Sequence, residues 1–543
     1  MATSIAVPAT PASALTLRRH THAPGSETSR ARADRQISWL RTYAAERIDP
    51  RSMDERRSIP PYIAMDFGLA GLFGPLVEER HGGTTLRLTD HFRVLQQLVA
   101  IDTGLGTWVG SSVYLGTRSL SAWGTEELKQ QWLPNLAAGR VLGAYAQTEP
   151  GAGSDFSALS TRAQPLPCGG FRLNGGKHWI GNGSWAGVMT VIARIAPDRA
   201  NRSSGVVALA VPADSPGVRA GAEHPSAGLR GMVQTRLDFT DVYVPAHAVL
   251  GDGDGRAVAL DSMAITRLAV AACAVGAMKR CAQVAHGYAE RRLMSGVPLA
   301  HRAATRRTLG DLVARIELCQ GMLDALAHRY DEVGHLPLEA VISVKVLASE
   351  WAADAADALA QILGGRGYDE TYLAPRLHRD LRAYRIFEGA TEALTDFLGR
   401  HSLSHTVRVH TLLRELGGEQ STARLEPALA AVRALGHTTV ADGRYNAPVA
   451  HAVMWALAQT MAQQSPTPLS PYTSRYAEEQ YTAALSVLCD GQPCARTLTT
   501  PEELTECIGL YQESIGHVPV SPPEHPVPLD PYLQGRGKAP VGA

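Results

Sequence analysis

The sequence predicts an α+β protein in which a β domain is set between two helical domains and a helical extension follows. The apolar period is helical over residues 36–143, gives way to β-branched runs split by Gly, Asn and Pro over 144–253, and turns helical again over 254–400. At 543 residues, with 45% hydrophobic and 19% charged side chains, the chain is long enough for several packed cores.

Residues 1–35 are rich in Ala, Ser, Thr and Arg, with only Glu27 and Asp34 acidic, and read as a disordered leader; the same composition also allows a transit peptide. In the first helical domain, "RQISWLRTYAAERI" and "LTDHFRVLQQLVAIDTGLG" place apolar residues three and four apart, and "MDFGLAGLFGPLVEERHGG" between them reads as a short helix and turn. The β domain is built from "FRLNGGKHWIGNG", "AGVMTVIARI", "SGVVALAVPA" and "VQTRLDFTDVYVP". Three helical segments, each of more than 20 residues, follow from Gly255, and a fourth comes after "GGRGYDETYLAPRLHRD", the pattern of a four-helix bundle. Residues 401–516 continue as a helical extension, and 517–543 form a proline-rich tail.

Composition narrows the function classes. Formal net charge is zero, so the overall field offers no reason to expect nucleic acid or an anionic membrane as partner. The extension 401–543 carries 9 basic and 13 acidic residues, the wrong sign for a DNA-binding tail. No apolar run is expected to reach the roughly 18 residues that cross a bilayer. Seven cysteines without CxxC spacing argue against a disulfide framework, so a reducing cytoplasm is the expected compartment. No metal-ligand pattern stands out. Only five of the 52 basic residues are lysine, which points to a GC-rich bacterial gene.

Three stretches carry candidate chemistry. In "AYAQTEPGAGSD", Ala144–Asp155, glycines expose backbone N–H groups beside a serine, which suits either an anion cradle or an ordinary β-turn. In "GGKHWIGNGSWAG", Trp179 is either a core indole or a flat cover for a planar ring. In "YRIFEGATEAL", Glu388 stands between the apolar pair Ile386–Phe387 and Gly389, a place where a carboxylate is desolvated and made more basic.

Taken in order with "GLAGLFGPLVEERHGG", "GTEELKQQWLPNLAAGR", "TRLDFTDVYVPAHAVLG" and "QILGGRGYDETYLAPRLHRD", these segments resemble the acyl-CoA dehydrogenase family from about residue 60 to 400. "RDLRAYRIFEG", the short "PCG" and the long extension look most like its very-long-chain branch. The resemblance implies a helical domain, a β-barrel-like middle domain and a four-helix domain. It also implies FAD as cofactor and α,β-dehydrogenation of an acyl thioester carried on CoA or a carrier protein. Glu388 corresponds to the base that takes the α-proton, and Gly389 to the residue that leaves room for the thioester. Tyr145, Gln147 and Thr148 match the strand at the flavin edge, and Trp179 the indole beside the ring. Ser154 matches a residue near the pyrophosphate and the acyl path, and Arg267 a buried arginine near the substrate channel. Arg291 and the loop residues Gln361, Gly364 and Gly365 match groups that reach the FAD of a neighbouring subunit, so a homo-oligomer of at least two chains is implied. Electron-transferring flavoprotein or oxygen is the implied electron acceptor.

Three departures stand out against that pattern. The usual Thr or Ser after "WI", which bonds near flavin N5, is Gly181, and this is expected to open space beside the flavin. "EGT" is here "EGA", without a hydroxyl at Ala390. "RRLMSGVPL" is one residue longer than usual, so Arg292 competes with Arg291 for its assignment. The departures suggest bacterial specialised metabolism. The room expected at Gly181 suggests, as an alternative, a flavin-dependent decarboxylase, dehydrogenase and monooxygenase acting on a β-keto acid in epoxyketone-type biosynthesis.

Overall fold

The computed structural model describes residues 14–16, 28–196, 205–435, 443–489 and 500–509. Part of the stretch expected as a leader is structured: Ala14–Thr16 forms strand β1, and helix α1 spans Ser29–Arg47. The Thr28 side chain starts α1 by accepting from the Ala31 N–H, an N-cap that the arginine-rich composition conceals. Helices α2 (Pro50–Arg56) and α3 (Pro61–Leu69) each begin on proline, whose missing N–H is harmless in a first turn. The long α4 (Leu88–Ile101) buries one apolar face. Next, α5 (Thr103–Ser111) is capped by Asp102 and runs into a π-helical turn, Ser112–Thr117, before α6 (Arg118–Trp123) and α7 (Glu126–Ala137).

The middle domain, expected to be barrel-like, is one mixed seven-stranded sheet. Its strands are β2 (Leu142–Ala146), β3 (Arg162–Pro165), β4 (Phe171–Gly181), β5 (Ala186–Ile195), β6 (Val206–Pro212), β7 (Val218–Glu223) and β8 (Gln234–Val244). The order is β2-β5-β3-β4-β8-β7, with β6 also on β5. Strands β2 and β3 each pair parallel with β5, while β4 and β8 pair antiparallel with a register break between Lys177 and Ile180.

The bundle consists of α8 (Gly255–Arg291), α9 (Ala303–Val333) and α10 (Leu338–Leu363), followed by α11 (Gly365–Tyr368), α12 (Leu373–Arg382) and α13 (Thr391–Ser404). A hairpin of β9 (Leu293–Met294) and β10 (Val297–Pro298) joins α8 to α9, and β11 (His335–Pro337) pairs antiparallel with β1. The expectation that no segment is long and apolar enough to cross a membrane needs correction. By length and composition α8 qualifies, and 83% of its apolar window is buried within the protein. Its small side chains let neighbouring helices approach closely, so its hydropathy is core hydropathy.

Beyond the bundle come α14 (Thr406–Glu415), α15 (Glu419–Ala434), α16 (Asn446–Ala462) and α17 (Pro471–Cys489). Helix α16 packs on α9, α10 and α13, and Trp455 lies 5.4 Å from Trp351 of α10, ring centre to ring centre. The amphipathic "VRVHTLLRELGG" is α14, whose Val409, Leu412 and Leu413 are buried, with α15 packed against the helix. A separate unit contains α18 (Pro501–Gly509). The proline-rich tail 517–543 lies outside the described residues. Both helical domains contribute to one apolar core, while the sheet packs its own with α6 and α7.

Candidate active site

Glu388 lies in the turn between α12 and α13, and its backbone is left-handed, with φ 57°. A non-glycine residue holds such a conformation only when its surroundings enforce it. Two cations do so. Arg267, from the middle of α8, donates through Nε to the Glu388 carbonyl at 3.0 Å, and Lys345, from α10, donates through Nζ to the Gly389 carbonyl at 2.6 Å. Gly389 has φ 100°, and a Cβ there would stand 3.0 Å from Leu394 Cγ and Cδ2. The glycine is therefore required by its own conformation and by Leu394.

The carboxylate itself is unusual. Glu388 Oε2 is buried and has no hydrogen-bond partner among the described residues. Burial raises the Glu388 pKa above the ordinary carboxylate range, and the charges of Arg267 and Lys345 oppose that shift without cancelling it. Lys345 is itself lowered to about 8, chiefly by burial. The apolar wall differs from expectation: Ile386 is 60% exposed, whereas Phe387 packs inward and meets the buried Tyr384 ring at 5.4 Å. Burial pushes the Tyr145 phenol well up, and the Glu388 charge adds to that shift. Glu388, Gly389 and Arg267 thus form one cluster, with Lys345 as a member that sequence reasoning missed. A lone lysine within an alanine-rich helix was its only signal.

A second cluster orders the glycine-rich loop. Lys177 is fully buried and donates to Glu149 Oε1 at 2.7 Å and to the Gln147 carbonyl at 3.0 Å. Burial alone would raise Glu149, but the donors Lys177 and Ser160 hold it down at about 2. The Thr148 carbonyl accepts from the His178 N–H at 2.8 Å, which ties the residues after β2 to β4. Loop residue Ser154 is exposed, and no other group lies within 4 Å of the missing side chains of Gly151 and Gly153. Both members of the Glu149–Lys177 pair were missed, since neither spacing nor composition marks a buried pair 28 residues apart.

Trp179 occupies the register break in β4, with φ 57° and 52% of its surface exposed. A bulge there turns the indole away from the core, and the His224 ring lies 4.3 Å from it. Two residues on, the expected opening is absent. A Cβ at Gly181 would meet Met232 Cε at 3.0 Å, Ser111 Oγ at 3.2 Å and Gln234 Nε2 at 3.5 Å. Neighbouring side chains fill the volume that the missing one leaves. Nor does Thr391 replace the hydroxyl missing at Ala390, because it donates to Glu350 Oε1 at 2.7 Å, an atom that also accepts from Arg385.

Four assigned residues are not brought to the carboxylate. Arg291 ends α8, ~36 Å of helix beyond Arg267, and Gln361 stands ~24 Å along α10 beyond Lys345, at ~1.5 Å per residue. Arg291, Gln361, Gly364 and Gly365 are all exposed, and nothing lies within 4 Å of where either glycine would carry a Cβ. Within a single chain they cannot serve the same reacting atoms as Glu388.

An orphaned buried carboxylate oxygen, a half-exposed indole and a loop with open glycines are features that suit a flat cofactor and an acyl group. Comparison with known proteins agrees. The chain matches the acyl-CoA dehydrogenase N-terminal domain over residues 34–140, the middle domain over 144–242 and the C-terminal domain over 253–403. It is 31% identical to an acyl-CoA dehydrogenase of Bacillus subtilis, over 68% of this chain and 97% of that one. It is 30% identical to the very long-chain specific acyl-CoA dehydrogenase of Macaca fascicularis, over 64% of this chain and about half (54%) of that one. An FAD-complexed acyl-CoA dehydrogenase structure from Bacillus anthracis shares the fold across 93% of this chain and 94% of its own, extension included, with a TM-score of 0.74 and 22% identity. With this domain order and these matches, the chain belongs to the acyl-CoA dehydrogenase family of FAD-dependent oxidoreductases, whose chemistry is flavin-dependent dehydrogenation of an acyl thioester.

Proposed function

We propose that Glu388 is the base that removes the α-proton of the acyl thioester. The observation that carries this reading is the buried, unpartnered Glu388 Oε2, whose pKa burial has raised. A carboxylate in that state binds a proton more avidly than one in water and, among the described residues, has no donor to give up first. Arg267 and Lys345 hold the turn by its carbonyls, so the carboxylate is aimed without being neutralised by a direct ion pair. The Glu388 N–H is assigned to the thioester oxygen, where negative charge develops as the proton leaves. FAD, when bound, supplies the hydride acceptor for the β-hydrogen. Tyr145, Gln147, Thr148 and Ser154 would hold its near side, with Trp179 against the ring.

The exposure of Arg291, Gln361, Gly364 and Gly365 supports their service to a neighbouring subunit's cofactor, and hence an assembly of at least two chains. The departures at Gly181 and Ala390 favour a specialised acyl substrate in a bacterial cytoplasm, with electron-transferring flavoprotein or oxygen taking the electrons. Anaerobic mixing of the FAD-loaded protein with acyl-CoAs and carrier-bound acyl groups tests the reading. At least one should bleach the flavin within seconds, and E388Q should slow that bleaching by at least about 10³-fold. E388Q bleaching at the native rate would refute it.

A further inference from the structure

We propose that Ser111 supplies, from the N-terminal helical domain, the hydroxyl that position 181 lacks, and that it is a flavin-contacting residue. This rests on the proposed function, which puts the reactive flavin edge beside the end of β4. Three structural observations carry the inference independently of activity. The Ser111 hydroxyl stands 3.2 Å from the point a side chain at Gly181 would start from. Its helix is fixed to that strand through Asn182, the residue after Gly181. Trp108 Nε1 donates to Asn182 Oδ1 at 3.0 Å, and Asn182 Nδ2 donates to Ser112 Oγ at 2.9 Å and to the Gly143 carbonyl at 3.2 Å. These contacts grip the turn of α5 that carries Ser111 from both sides. The π-helical turn begins immediately after Ser111, a device that re-aims side chains at functional sites.

The chemistry follows from electrostatics. Hydrogen bonds to the ring nitrogens of a bound flavin tune its electronics. A donor at that edge favours the electron-rich reduced ring over the oxidised one, so its loss should make reduction less favourable. Met232 and Gln234 close the rest of the volume around Gly181.

The test compares the FAD-loaded wild type with S111A, S111A/G181S and S111A/G181A. Reduction is equilibrated against a reference dye, and visible spectra are recorded before and after. S111A is expected to lower the reduction equilibrium constant about tenfold, ~30 mV for a two-electron couple. S111A/G181S should recover to within about threefold of wild type, whereas S111A/G181A, which adds only a methyl group, should not. If S111A fails to retain FAD, retention by S111A/G181S supports the proposal and continued loss overturns it. An S111A protein with wild-type spectrum and equilibrium constant also overturns it. A wild type that never binds FAD refutes instead the function on which the inference rests.

Discussion

Lys345 Nζ and the Gly389 carbonyl oxygen are 2.6 Å apart, joining the third helix of the bundle to the turn that carries Glu388. With the half-buried Arg267 on the preceding carbonyl, two cations hold two successive peptide units, and the left-handed Glu388 between them cannot relax. Substituting K345M keeps the aliphatic stem and removes the donor. Leaving the carbonyl unpaired should lower stability by ~1–3 kcal/mol. Substrate-driven flavin reduction should slow by at least about tenfold with little change in substrate affinity, because the base is misaimed rather than removed. Stopped-flow reduction and thermal unfolding measure the two effects; a destabilised K345M that reduces at the native rate would show the clamp to be structural only.

The rate of flavin reduction should rise with pH. Glu388 acts as its carboxylate, and its folded pKa is raised, first by burial. The ascending limb should therefore lie above the usual carboxylate range. Lys345 holds the Glu388 pKa down, so K345M should move the limb to higher pH, whereas wild-type Lys345, with a pKa of about 8, stays largely charged below that pH. Reduction rates recorded from pH 5 to 9 for both proteins would test this, and a limb that moves to lower pH in K345M contradicts the electrostatics.

Helix and strand periods made the domain order readable because each domain buries a continuous apolar face, as in α4 and β5. Glu388 and Trp179 were legible because their local sequence is out of keeping with its element. Lys345, Lys177 and Glu149 were not, for one physical reason: each acts on a group far away in the chain, and no local pattern records the partner. The room inferred at Gly181 failed likewise, since Met232 and Ser111 close it from other elements. Hydropathy misled at α8, where small apolar residues that pack a bundle were expected to be shorter than a membrane span.

Glu149→Gln should be among the most damaging single changes in the middle domain. It leaves the fully buried Lys177 without its counter-charge and, because an amide keeps a single accepting oxygen, takes the acceptor from either Ser160 or Thr161. Breaking a buried pair by removing one partner costs ~3–5 kcal/mol. Because Lys177 also holds the Gln147 carbonyl, FAD retention should fall with stability. Replacing both residues, as in E149Q/K177M, should recover part of the loss. Unfolding in urea and FAD content after gel filtration measure both, and a double variant no better than E149Q would show that the bare charge is not the cause.

Asp380, at the end of α12, should make stability depend on pH in the opposite sense from an ordinary surface carboxylate. Its Oδ1 accepts from the Leu229 N–H at 2.5 Å, and only 2% of its surface is exposed. Burial raises its pKa from 3.8 to about 7, with Leu229 and Arg376 opposing and Asp102 and Asp54 adding to the shift. A raised folded pKa means the folded state favours the protonated acid. The penalty is absent below about 3.8, grows as pH rises towards 7 and is complete above it. D380N keeps an acceptor for Leu229 and cannot ionise. It should match the wild type near pH 4 and exceed its stability at pH 8, by at most about 4 kcal/mol at ~1.4 kcal/mol per pKa unit. Urea unfolding at the two pH values decides the matter. A D380N protein weaker than wild type at pH 8 would mean that Asp380 is ionised there and that its attraction to Arg376 outweighs its burial.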